Sequence, residues 1–285
     1  MGSVVELTSA DGHAFRAYVA GTPSQNGGLI LCHDDAGWSQ ACFRLADRLA
    51  RMGYHVIAPA LFDRADPGLK QGYGPGERAV TRALARILPL DAVSQDVVAA
   101  GAALEQPVLG LVGLGWGATM VWRMAARSQR YSAAVCFYGA GIDAVRDEAS
   151  RCPAQLHIGE FDDEILGTHI ARLRQDRPEV HLKLYPMARQ DFLIEETECY
   201  EPLATTTAMD NTQMFLRTSM VKVDGTEEAA LPQSVPVRAF GRISPMPVVE
   251  APVRAVEREP AAGIRLQPPV WRAPQPAVFG RRATA

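Results

Sequence analysis

The stretch running from Val108 to Thr119 (Val-Leu-Gly-Leu-Val-Gly-Leu-Gly-Trp-Gly-Ala-Thr) constrains this chain more than any other. An apolar run of strand length passes into glycines at 113, 115 and 117 and then into a helical segment. That is the strand, turn and helix order in which an α/β protein exposes one residue above the carboxyl end of its sheet. Such a turn needs a covered sheet around it, and the chain supplies the parts. Short β-branched or apolar runs at 29–33, 54–58, 108–112, 133–138, 155–158 and 180–185 have the length of strands buried on both faces. Helical spacing marks 41–52, 93–104 (just after Asp91, read as an N-cap or first-turn charge) and 118–126. Segments 4–7 and 15–19 flank Asp11-Gly12 as an antiparallel hairpin. A hairpin followed by repeated βα units predicts a mostly parallel sheet with helices on both faces.

Proline usage breaks this pattern near residue 219. Residues 219–285 hold ten of the 20 prolines, nine basic and six acidic side chains. Prolines at that density exclude a helix or a central strand, because each removes a backbone donor and fixes φ. The expectation is a domain over 1–218 and an extended, Pro/Arg-rich tail over 219–285, disordered or bound to a partner. Apolar anchors spaced along the tail, Phe240, Ile243, Trp271 and Phe279 among them, suit docking on a protein better than a plain spacer. The formal charge of −3 gives no bias towards nucleic acid. No run of apolar residues reaches membrane-spanning length, so no membrane insertion is expected. Five cysteines at scattered spacings, without a C-x-x-C pair, and a start lacking a basic, then apolar leader point to a reducing cytoplasm.

The glycine turn has the frame of a G-x-S-x-G nucleophile elbow, yet Gly115 stands where the nucleophile should be. A dinucleotide-binding turn fits less well, since the sixth position counted from Gly113 is Ala118 and the strand lies far from the start. With the elbow come four further segments: Asp11-Gly12 with residues 15–20; Leu29-Ile30-Leu31-Cys32-His33-Asp34-Asp35-Ala36-Gly37; residues 45–64, from Leu45-Ala46-Asp47 through Ala58-Pro59-Ala60-Leu61-Phe62-Asp63-Arg64; and Phe137-Tyr138-Gly139. Together with a final helix over 202–218, these make the chain resemble the dienelactone hydrolase family of α/β-hydrolases over roughly residues 5–218. The resemblance implies an α/β-hydrolase-like fold and a Cys-His-Asp triad. Carried over position by position, the acid is Asp162 (Gly159-Glu160-Phe161-Asp162), the cysteine falls on Gly115 and the histidine on Gln190. Asp34 matches the family's thiol-gating acid, one carbon shorter, and Ala60 replaces another acid.

Glutamine cannot accept a proton near neutral pH, so Asp162 is left with no imidazole to orient. Losing a triad nucleophile or base costs about a factor of 10⁶ in turnover, and losing both costs little more. The expectation is therefore a catalytically inactive member acting as an interaction or assembly subunit, with its tail docked on a protein partner. A pocket lined by His33, Asp34, Asp35, Trp116 and Asp191 is expected to survive and to suit a small carbonyl or carboxylate ligand. Two alternatives remain. One is hydrolysis of small esters or lactones through Asp34, Asp162, Asp191 and His33. The other is a small-molecule binding protein using the vacated pocket. A displaced Cys32–His33 pair is disfavoured because neighbouring strand residues face opposite ways. No metal-ligand spacing links His33, Asp34, Asp35, Asp162, Asp163 and Asp191, and no cofactor motif is present.

Overall fold

A computed structural model describes residues 2–69 and 71–221, and the backbone of 238–239. The chain opens with the hairpin β1 (Ser3–Thr8) and β2 (Ala14–Ala20), Ser3 opposite Val19 and Thr8 opposite Ala14. Next come β3 (Gly28–Cys32), α1 (Gln40–Arg51), β4 (His55–Pro59) and a 3₁₀ turn over Leu61–Arg64. Helices α2 (Pro75–Ile87) and α3 (Leu90–Ala103) lead to β5 (Leu109–Leu114) and α4 (Gly115–Arg127). Then follow β6 (Tyr131–Phe137), the single turn α5 (Ile142–Val145), β7 (Ala154–Gly159), α6 (Gly167–Asp176), β8 (His181–Tyr185) and α7 (Pro202–Ser219). A two-residue strand β9 (Arg238–Ala239) pairs with Val5 and Glu6.

The strand order is β8-β7-β6-β5-β3-β4-β2-β1-β9. All pairs from β4 through β3 to β8 are parallel; β1, β2 and β9 add antiparallel pairs at one edge. Period-two alternation divides the interior. From β3, Ile30 and Cys32 join Leu111 of β5 and Cys136 of β6 against α3 and α4. Leu29 and Leu31 join Val112 and Val135 against α1 and α7. This two-sided burial is what continuous apolar strands require. In α1 the buried set Ala41, Cys42, Leu45, Ala46 and Leu49 forms one helical face, while Arg44, Arg48 and Arg51 stay outside it.

The mostly parallel sheet with helices on both faces is as the sequence pattern predicts. Three helices it did not mark are α2, α5 and α6. Asp91 is not an N-cap, a place taken by Pro89; it sits in the first turn of α3, 3.2 Å from Arg127. Below α7, Met220 is 7% exposed and packs in the α1/α7 core, so the packed chain runs past residue 218. Of the expected tail, residues 219–221 and the backbone of Arg238 and Ala239 are described; Phe240, Ile243, Trp271 and Phe279 lie outside the described residues.

Candidate functional site

The turn between β5 and α4 is held by contact distances. A Cβ on Gly113 would stand 2.5 Å from the Gly117 carbonyl oxygen, and one on Gly117 would stand 2.3 Å from that of His33. Backbone occupies the space a side chain would need, so both positions require glycine. Gly115 is different. Its φ is +47°, the left-handed conformation of an exposed elbow residue, and a Cβ there would meet Asp34 Cβ at 3.2 Å, a tight fit without a backbone clash. The elbow is intact around a position with no reactive atom. The helix also begins here, three residues before the sequence pattern places it.

The loop after β3 supplies the second wall. Asp34 is 2% exposed; its Oδ1 accepts from the Ala36 N–H at 3.0 Å, and its Oδ2 accepts from the Tyr73 hydroxyl. Burial, helped by the negative charge of Asp191, pushes the Asp34 carboxyl up to about 7. His33 lies beneath this loop with no exposed surface. Its Nδ1 is 2.8 Å from the Asp34 carbonyl and its Nε2 accepts from the Leu61 N–H at 3.1 Å, an arrangement that puts the proton on Nδ1. Burial lowers its pKa to about 4. His33 is thus a neutral core residue with both nitrogens engaged. It does not line the pocket as the sequence reading has it, and it is no base for a substitute hydrolysis. Cys32 points into the α3/α4 core, where burial pushes its thiol up to about 12.

Asp162 follows β7, where its Oδ1 accepts from the Glu164 and Ile165 N–H groups at 2.9 and 3.0 Å. Its Oδ2 is buried without a partner among the described residues, and burial raises its pKa to about 6. A retained triad acid whose histidine has gone would be left in this state. Gln190 and Asp191 follow β8, and Asp191 has φ +61°. Asp191 Oδ2 lies 2.6 Å from Arg78 Nη1, while Arg78 Nη2 reaches Asp35 Oδ1 at 3.0 Å and its guanidinium stacks on Tyr73 at 5.4 Å. Arg82 pairs with Asp35 and, at 3.4 Å, with Glu164. Both arginines come from α2. The sequence reading missed them, although Arg78, Arg82 and Arg86 recur every fourth residue behind Gly74-Pro75, a helix-start signal.

These parts border a cleft, open to solvent, of about 420 Å³ lined by Asp34, Asp35, Arg82, Gly115, Trp116, Tyr138, Gln190 and Asp191 among others. Of the expected pocket residues, Asp34, Asp35, Trp116 and Asp191 line it and His33 does not; Asp162, the expected triad acid, is not among the lining residues either. A second cavity, of about 400 Å³ between α1 and residues 193–196, holds none of these groups. Among the described residues, no group of three or more His, Cys, Asp or Glu side chains is arranged to hold a metal ion. His33 is spent on backbone, and Asp35 and Asp191 are spent on arginine. Nor, among those residues, is any helix long and apolar enough to cross a membrane.

The model of the dienelactone hydrolase family matches residues 15–220. A protein of Azospirillum brasilense named as a carboxymethylenebutenolidase is 27% identical over 227 residues, 75% of this chain and 97% of its own length. Among solved structures, a Klebsiella pneumoniae protein named as a dienelactone hydrolase superposes with a TM-score of 0.62 at 20% identity, over 75% of this chain and 98% of its own. The dienelactone hydrolase of Anabaena variabilis superposes with a TM-score of 0.57 at 16% identity, over 78% of this chain and 99% of its own. At those identities the two structures speak for the fold alone.

Proposed function

The chain belongs to the dienelactone hydrolase family, and from its own residues we propose that it no longer hydrolyses that family's substrates and instead binds a small molecule in the vacated pocket. The observation that carries this reading is the pair of losses in an otherwise intact frame. Gly115 holds a left-handed turn conformation without a nucleophile, the family resemblance puts Gln190 at the base position, and Asp162 Oδ2 has no partner among the described residues. Two catalytic groups are gone while the glycines that shape the turn, the acid and the cavity remain. Chemistry that needs a covalent acyl intermediate has no atom to form it on. Binding needs only the walls. The related carboxymethylenebutenolidase name points to lactone-sized molecules, and a cleft of about 420 Å³ admits one.

The test is turnover of dienelactone and of p-nitrophenyl acetate by the purified chain. The expected rate equals that of buffer. Saturable turnover abolished by Asp162→Ala would overturn the reading. A second role, docking on a protein through Phe240, Ile243, Trp271 and Phe279, draws its support from the proline and arginine pattern of residues 219–285. It expects Trp271→Ala to weaken retention of a partner co-purified with the full chain. Equal retention would assign any partner to the hydrolase-like domain.

A further inference from the structure

Helix α2 is built unlike its neighbours. Of its side chains only Thr81 is fully buried, whereas Val80 and Ile87 are 49% and 73% exposed. A helix packed on a sheet ordinarily buries an apolar stripe. What ties α2 to the rest of the chain is instead Arg78 and Arg82, which hold acids from three separate loops: Asp35 after β3, Glu164 after β7 and Asp191 after β8. Gly-Tyr-Gly-Pro-Gly at 72–76 leads into the helix and Leu88-Pro89 ends it. Glycines on one side and a proline on the other give the segment a joint at each end.

Beside these arginines lies a sealed polar row. Asp34 is 2% and Asp191 4% exposed, and Tyr138 has no exposed surface. Among the described residues the Tyr138 hydroxyl and Asp191 Oδ1 have no hydrogen-bond partner. Polar atoms sealed without partners count against the arrangement that seals them, and water satisfies them once it enters. In favour of the same arrangement stand the ion pairs of Arg78 with Asp191 at 2.6 Å and Asp35 at 3.0 Å, and of Arg82 with Asp35 and, at 3.4 Å, with Glu164. Arg82 and Glu164 are 42% and 44% exposed, and a pair so open to water holds weakly. The balance between a closed and an open α2 is therefore small.

We propose that α2 is a gate: residues 75–87, latched by Arg78 and Arg82, swing away as a unit while the sheet stays folded, and so open the sealed row to solvent and to ligand. Helix α2 contributes Arg82, Ala85 and Arg86 to the wall of the cleft, so its departure widens that space. The structure is the closed state. A ligand that touches Asp191 Oδ1 or the Tyr138 hydroxyl binds only the open fraction, and its apparent affinity is lowered by that fraction. The gate needs no ligand to operate, so its test is separate from that of binding.

The experiment puts a thiol on the hidden side of the helix. Thr81→Cys in the full chain is a change of similar size, and alkylation by iodoacetamide is followed peptide by peptide with mass spectrometry. Cys32, Cys42 and Cys136 are buried in the two cores and serve as internal reporters of global unfolding. The thiol at position 81 is expected to react at least about a hundredfold faster than Cys136, because it needs only local opening. Adding Arg78→Ala should speed it about tenfold further and leave Cys136 unchanged. A thiol at 81 as protected as Cys136, or a rate unmoved by Arg78→Ala, would overturn the gate. Amide exchange of the unsubstituted chain guards against a variant that packs badly. Central amides of α2 should exchange at least about a hundredfold faster than those of β5, and equal protection of the two would overturn the proposal as well.

Discussion

Asp34 and Asp162 stand out among the side chains near the β5–α4 turn for their proton affinity. Both are buried carboxyls whose proton affinity is higher in the folded chain, at about 7 and 6 against 3.8. The folded state therefore binds more protons than the unfolded one between pH 4 and 7, and these two groups cost stability as pH rises through that window. His33 and His157, lowered to about 4 and 3 by burial, act in the opposite sense as pH falls below 6.5. The comparison that isolates Asp34 is with Asp34→Asn. From pH 5 to pH 8 the variant should gain on wild type by on the order of 2 kcal/mol, read from thermal melts at intermediate pH values. A constant difference would mean that Asp34 is not a buried titrating group. Residue-level rescue tests the proposed loss of the triad directly. Gly115→Cys with Gln190→His supplies a thiol at the turn and an imidazole at the position the family resemblance assigns to the base, with Asp162 Oδ2 unpartnered among the described residues. The double variant should hydrolyse p-nitrophenyl acetate about a hundredfold or more above wild type. A folded double variant without activity would mean that more than two groups were lost.

Among the elements, α2 is the one whose place depends on charge. Thr81 is its one fully buried side chain, and it is joined to the site by Arg78 and Arg82 through Asp35, Asp191 and Glu164. Helix α4, by contrast, buries Ala118, Met120, Val121, Trp122, Met124 and Ala125 in the core. Partly buried ion pairs contribute on the order of 1 kcal/mol each, far less than a helix face packed on a sheet. Opening of α2 is thus expected at much lower free energy than global unfolding. Arg78→Ala should speed amide exchange over residues 75–87 by about tenfold, leaving β3 and β5 unchanged. Uniform acceleration across the sheet would show that α2 is integral to the core.

At the scale of the molecule, α7 is the last described helix, and Met220 just after it packs in the α1/α7 core. Met220 approaches Gly27 and Gly110 at the base of β3 and β5, so a truncation at 218 would open a hole beneath the sheet. A chain of residues 1–221 keeps that contact and forfeits the short pairing of β9 with β1. It should melt cooperatively within a few degrees of full length. Loss of the cooperative melt would make residues beyond 221 part of the fold's stability.

The order of strands and helices was written in the sequence because burial on two faces demands unbroken apolar runs and burial on one face demands helical spacing, and both are local patterns. The glycine turn was legible for the same reason: Gly113 and Gly117 sit where backbone meets backbone. Helix α2 was not legible, since arginines at every fourth position look like a solvated face until acids from three distant loops close on them. Which side His33 faces, which carboxylate holds Arg78, and which polar atoms of Tyr138 and Asp191 remain unmet were decided only when the sheet brought residues more than a hundred positions apart within hydrogen-bonding range, because pairing of charges and protons depends on distance in space and not on spacing along the chain.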